Sequence, residues 1–119
     1  FGMKVQFHFV GNLADNFKPY WQDLVSKTPG NCRIWGERND VDLFYEACDV
    51  FYFPSTYELN PLSVKEALSW KLPTFLRRLD TYKGKYDTNN LVTYIDENIE
   101  DNYKKLLQKI ISIKNESVL

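Results

Sequence analysis

The sequence predicts an α/β layer sandwich built on a parallel sheet. Short runs of β-branched and aromatic residues alternate with segments whose apolar residues recur at helical spacing, and Gly or Pro closes most runs. One run, DVFYF at 49–53, is almost continuously apolar, as in a strand buried on both faces. Strands alternating with helices are joined by right-handed crossovers and pair in parallel.

The elements follow in order. VQFHFV at 5–10 reads as a strand stopped by Gly11-Asn12. Its His8 is expected to be a packed, hydrogen-bonded imidazole. From Asp15 the period changes, and Phe17, Tyr20, Trp21, Leu24 and Thr28 mark a helix that Pro29-Gly30 ends. Cys32 to Trp35 is a second strand, closed by Gly36. Asp40 can cap a helix whose Val41, Phe44 and Cys48 share a face. Asp49 to Phe53 is the third strand, broken by Pro54-Ser55. A helix from Pro61 follows, terminated by Pro73, and core or interface packing is the expected role of Trp21 and Trp70 on their helices. Thr74 to Leu76 is a fourth strand and RRLDTYKGKYDTNN at 77–90 a polar loop. Leu91 to Ile95 is a fifth strand. Ile99, Tyr103, Leu106, Ile110 and Ile113 mark a last amphipathic helix to Lys114. The order is that of a Rossmann-like three-layer sandwich, in which ligands sit beyond the carboxyl ends of the strands.

Composition narrows the class. With 119 residues, 44% of them hydrophobic, the chain is sized for one domain with a single core. A net charge of -1 gives no basic surface for nucleic acid. Residues 1–60 carry 5 basic and 8 acidic side chains and residues 61–119 carry 10 and 8, an asymmetry that solvated helix faces explain. Cys32 and Cys48 lack a CxxC or Cys/His spacing, so buried free thiols are expected, with no zinc site and no disulfide. No stretch reaches the ~20 apolar residues of a membrane span, and no signal peptide opens the chain. A cytoplasmic location fits best. Because FGMKVQFHFVGN enters a strand almost at once, the chain is expected to be an excised piece.

The stretch STYELNPLSVKEALSWKLP at 55–73 carries the chemistry. Asn60 suits an N-cap and Pro61 the first helical position. The N–H groups of Leu62 and Ser63 then point out of the helix with a positive macrodipole end behind them, roughly half an elementary charge, and suit a phosphate. Glu58 on the entering loop and Glu66 on the second turn would accept hydroxyl hydrogen bonds. A nucleotide sugar offers both chemistries, with Glu66 reaching the ribose, Glu58 the hexose, and Tyr57 stacking on sugar. The plainer reading makes both glutamates solvated side chains, since two glutamates eight positions apart arise readily by chance.

The segment DVFYFPSTYELNPLSVKEALSWKLPT at 49–74 resembles the signature region of retaining glycosyltransferases of the GT-B type, particularly the large family 4. The matching positions are Pro54, Ser55, Glu58, Glu66, Ala67 and Pro73. NCRIWGERNDVDLFYEACDV and FHFVGN resemble the upstream strands of that family. The resemblance implies the C-terminal, donor-binding domain, with an N-terminal acceptor domain absent from these residues. It implies a nucleoside diphosphate sugar donor, transferred with retention to a saccharide or lipid-linked acceptor, in a full-length protein that can associate peripherally with a membrane during polysaccharide assembly. Glu58 would contact the transferred sugar as the catalytic residue, and Glu66 the ribose. Asn60, Leu62, Ser63 and Tyr57 would complete the donor site. Trp35, Glu37 and Arg38 would lie by the base, and no metal or other cofactor would be required. The chain departs from the family pattern at Pro61, at Arg77-Arg78-Leu79-Asp80 and at Asn90, where glycines are usual. The phosphate-binding Arg and Lys of the family lie upstream of these residues, and Lys18, Arg77 and Arg78 read as surface charges. No turnover is expected from residues 1–119 alone. The alternative is a degenerate, non-catalytic Rossmann-like interaction or structural domain; a nucleotide-sugar epimerase is a third, more distant reading.

Overall fold

The structure is a computed structural model that describes residues 5–10, 30–36, 38–56 and 61–118. The chain divides into two compact units, 1–42 and 43–119. The helix expected over 15–28 lies outside the described residues.

In the first unit β1 (Phe7–Val10) pairs in parallel with β2 (Cys32–Gly36). Phe7 N–H donates to the Asn31 carbonyl at 2.9 Å, and Asn31 Nδ2 donates to the Val5 carbonyl at 3.2 Å, which fixes the register where the strands begin. His8 faces Arg33 and Phe9 faces Ile34, but Val10 faces Gly36. Trp35 is therefore an extra residue on β2, the signature of a bulge, which bends the strand and re-aims a side chain. Gly36 follows with φ of 73°, a conformation that a side chain would strain.

Helix α1 (Val41–Ala47) buries Tyr45, with Val41, Phe44 and Cys48 half-buried. The expected face is therefore right but centred elsewhere. Tyr45 OH donates to the Ser63 carbonyl at 3.3 Å, and its ring lies 6.2 Å from that of Phe51. Cys32 and Cys48 are free thiols, half-buried rather than buried.

The second unit holds β3 (Phe51–Phe53), α2 (Leu62–Ser69), β4 (Thr74–Arg77), a 3-10 turn at Asp80–Tyr82, β5 (Val92–Ile95) and α3 (Ile99–Val118). The strands pair in parallel in the order β3-β4-β5, so the predicted pairing mode holds in both sheets. Register and side-chain alternation put Phe51, Phe53, Leu76, Val92 and Tyr94 on one face. There Val64 of α2, Leu76 and Tyr82 form a fully buried cluster. Tyr52, Phe75 and Thr93 occupy the opposite face, which α3 covers with Leu106 and Leu107 buried. The result is a helix–sheet–helix sandwich.

Three expectations shift. The loop 77–90 is not merely polar: Tyr82 is 1% exposed and roofs the core, unreadable from a sequence where charges flank it. Ile99 and Tyr103 are exposed, and Asn102 is buried in their place. The stripe of α3 keeps Leu106 buried and Ile110 and Ile113 half-buried as read, and departs from the apolar reading only in its first turns, where Asn102 is held by the turn before the helix. The same helix runs past Lys114 to Val118, since no Gly or Pro stops it there.

Helix α2 ends at Ser69, ahead of the expected stop at Pro73, by a device the sequence does not advertise. Lys71 sits at φ 62°. Its N–H donates to the Leu68 carbonyl at 3.0 Å, and Leu72 N–H to the Ala67 carbonyl at 3.1 Å. This is a Schellman cap with lysine in the left-handed position usually given to glycine.

Candidate functional site

The chain leaves β3 at Phe53 and enters α2 at Leu62, so the start of α2 lies at the carboxyl side of the sheet, where ligands of such folds bind. The helix begins one residue later than predicted. Pro61 has φ −68° and ψ 125° and is the N-cap, without a side-chain cap bond. A proline's fixed φ suits helix and extended chain alike, and here ψ takes the extended choice. Asn60 is thus displaced from the N-cap role and lies outside the described residues, with Tyr57 and Glu58.

This shift adds a donor. With Pro61 as cap, the first-turn N–H groups are those of Leu62, Ser63 and Val64, which an α-helix leaves without intrahelical acceptors. The sequence reading named the first two and missed Val64, whose apolar side chain is buried while its amide belongs to the first turn. Leu62 and Glu66, four apart, share the open face of α2 opposite buried Val64 and Ala67, and Leu62 is 71% exposed. Among the described residues no cation pairs with the Glu66 carboxylate. Ser63 is half-buried, its carbonyl taken by Tyr45.

Of the three residues expected near a base, Glu37 lies outside the described residues. Trp35 and Arg38 come together with two others. Trp35 Nε1 donates to His8 Nδ1 at 3.1 Å, and the two rings lie with centroids 6.2 Å apart and planes 29° from parallel. Arg33 and Arg38 place their guanidinium carbons 4.1 and 5.3 Å from the Trp35 ring centroid, a doubled cation–π contact. Arg38 is also bidentate to Asp40, Nε to Oδ1 at 2.9 Å and Nη2 to Oδ2 at 2.7 Å. That hydrogen-bonded pairing pulls the Asp40 carboxyl below and pushes the Arg38 guanidinium above their ordinary values. Asp40 therefore spends its carboxylate on Arg38 just ahead of α1. His8 is exposed rather than packed, but it is hydrogen-bonded as expected.

Arg77 and Arg78 lie at the surface as read, Arg77 half-buried and Arg78 exposed, but both are tied to the end of β5. Arg77 Nη1 donates to the Asp96 carbonyl at 3.0 Å and Nη2 lies 3.6 Å from Glu97. Arg78 N–H donates to the Ile95 carbonyl at 2.9 Å, and its guanidinium lies 4.7 Å from the Tyr94 ring centroid. A groove of about 290 Å³ lined by Phe75, Thr93, Lys105, Gln108, Lys109 and Ser112 lies on the α3 face of the sheet, opposite the face that packs α2. Among the described residues no cluster of His, Cys, Asp and Glu could hold a metal ion, and no helix is long and apolar enough to cross a membrane.

Compared with known proteins, residues 2–111 match the family model described as glycosyl transferases group 1. Neither the curated proteins nor the solved structures compared with the chain give a match.

Proposed function

Because the chain belongs to the glycosyl transferases group 1 family and its chemistry is therefore glycosyl transfer from a sugar donor to an acceptor, we propose that it forms the donor-binding part of such an enzyme. The observation that carries this reading is the start of α2: three first-turn amides at the carboxyl side of a parallel sheet, with Glu66 on the same open helix face. The diphosphate of a nucleoside diphosphate sugar would lie against the amides of Leu62, Ser63 and Val64. Glu66 would accept from the ribose hydroxyls and Glu58 from the transferred sugar. The base would meet Trp35, Glu37 and Arg38.

The chemistry such a site favours is loss of the diphosphate from an oxocarbenium-like centre, with retention. Amides and a helix dipole aimed at the departing oxygens act where negative charge develops. The acceptor, a saccharide or a lipid-linked one, would be supplied by an N-terminal domain outside these residues.

The test is a titration of the protein with UDP, GDP and ADP and their sugar conjugates, read by amide resonances. Leu62, Ser63 and Val64 should shift. No perturbation there at millimolar ligand would remove the reading in favour of a non-catalytic module. Glu66→Ala should weaken the free nucleotide about tenfold or more, the scale of a hydrogen bond to a charged group. Glu58→Ala should weaken the sugar-bearing form more than the diphosphate alone. Equal affinities for wild type and both variants would break the role assignment.

A further inference from the structure

The ring pair His8–Trp35 is joined across 27 positions of the chain. Trp35 is the extra residue of a bulge, it precedes Gly36 at φ 73°, and its only polar atom is bonded to an imidazole. An indole N–H can only donate, so His8 Nδ1 must carry its lone pair and the ring proton must sit on Nε2. We infer that His8 is a positioning residue for Trp35: the unprotonated imidazole fixes the indole in the orientation in which it meets the nucleotide base, and protonation releases it. This rests on the proposed placement of the base at Trp35.

The physical steps are few. Taking up a proton at Nδ1 turns the acceptor into a donor, and the Trp35 Nε1–H is left facing another N–H. Electrostatics push the same way. The charged groups described around the pair are Arg33, which is the cross-strand partner of His8, and Arg38 with its Asp40. Arg38 and Asp40 neutralise each other, so an imidazolium would stand beside the cation of Arg33 with both near one indole. Like charges repel, and the paired rings lose their hydrogen bond at once.

The experiment follows the Trp35 indole N–H resonance, identified by its loss in Trp35→Phe, from about pH 5 to 8, the range in which histidine changes charge. In the wild type it should move in step with the His8 ring signals. His8→Asn offers a side-chain carbonyl in place of Nδ1, so the resonance should stay near its high-pH position at every pH. His8→Phe keeps a ring and removes the acceptor, so the resonance should sit at an unbonded position at every pH. A wild-type indole signal indifferent to pH, or one in His8→Phe equal to the wild type at pH 8, would overturn the inference. Affinity for a nucleoside diphosphate sugar, whose esterified diphosphate does not change charge in this range, adds a second readout: it should fall about fivefold from pH 8 to 5 in the wild type, the scale of one hydrogen bond. It should stay flat in His8→Asn. Affinity that falls equally in His8→Asn would also overturn it. A protein that binds no nucleotide at any pH, yet shows the expected indole behaviour, would overturn the base-site reading while the coupling of the two rings stands.

Discussion

Asn102 offers the sharpest test of how the second unit is held. It is 5% exposed, and its side chain closes a ring with Asp96: Asp96 N–H donates to Oδ1 at 3.1 Å, and Nδ2 donates to the Asp96 carbonyl at 2.6 Å. Asn98 N–H donates to Asp96 Oδ1 at 2.8 Å, and Asn98 Oδ1 caps α3 by accepting from Asp101 N–H at 3.1 Å. Asn102→Ala deletes two hydrogen bonds, each worth about 0.5–1.5 kcal/mol net. Asp96 is exposed and its carbonyl keeps Arg77, so water replaces the lost partners and the full penalty of stranded polar groups does not apply. Alanine also returns a few tenths of a kcal/mol of helix propensity. The expected loss is about 1.5 kcal/mol, roughly tenfold in the folding constant. Urea unfolding followed by circular dichroism measures it, and hydrogen exchange at the Asp96 amide should accelerate most. Asn102→Leu restores volume without polarity and should not recover the stability. A loss under about 0.5 kcal/mol in Asn102→Ala, within ordinary surface variation, would refute the reasoning, as would full recovery in Asn102→Leu.

Lys71→Gly should stabilise the protein by about 1 kcal/mol, since glycine takes the left-handed position without a Cβ penalty; a destabilised variant in the same urea assay would count against the Schellman cap. Leu76→Ala, at a fully buried site against Val64 and Tyr82, should cost about 3 kcal/mol, and a loss below 1 would mean the cluster is not the core. Burial first, and then the neighbouring Asp49, push the Cys48 thiol up. At pH 8 Cys48 should therefore react with iodoacetamide more slowly than free cysteine, and its rate should keep climbing with pH after free cysteine has levelled off; labelling at the free-cysteine rate would contradict this.

What the sequence revealed was mostly periodic. The run DVFYF announced β3 by its unbroken apolar character, although the strand is half-buried rather than buried on both faces, and the spacing of Leu106, Ile110 and Ile113 announced α3, because burial of one face repeats along a helix. The start of α2 was legible through Asn-Pro to within one residue, the error arising because proline's φ does not fix its ψ. Contacts distant in the chain were not legible. Nothing local to Asn102 says that Asp96 will claim its amide, and nothing near Tyr82 says that it will roof Val64. The bulge at Trp35 depends on the register of β1 against β2, and register belongs to a pair of strands. In the candidate site, residue types and spacing pointed to α2, and the family resemblance pointed to Trp35. The His8–Trp35 bond, across 27 positions, needed the fold.

Arg77 and Arg78 draw the ends of β4 and β5 together: one grips the chain just past β5, the other lies on a β5 aromatic ring. Their charge is thus already committed when any anion reaches that rim. To recruit Arg77, a ligand must lift it from the same carbonyl that Asn102 holds, so filling the rim and keeping the hinge into α3 in place are competing demands.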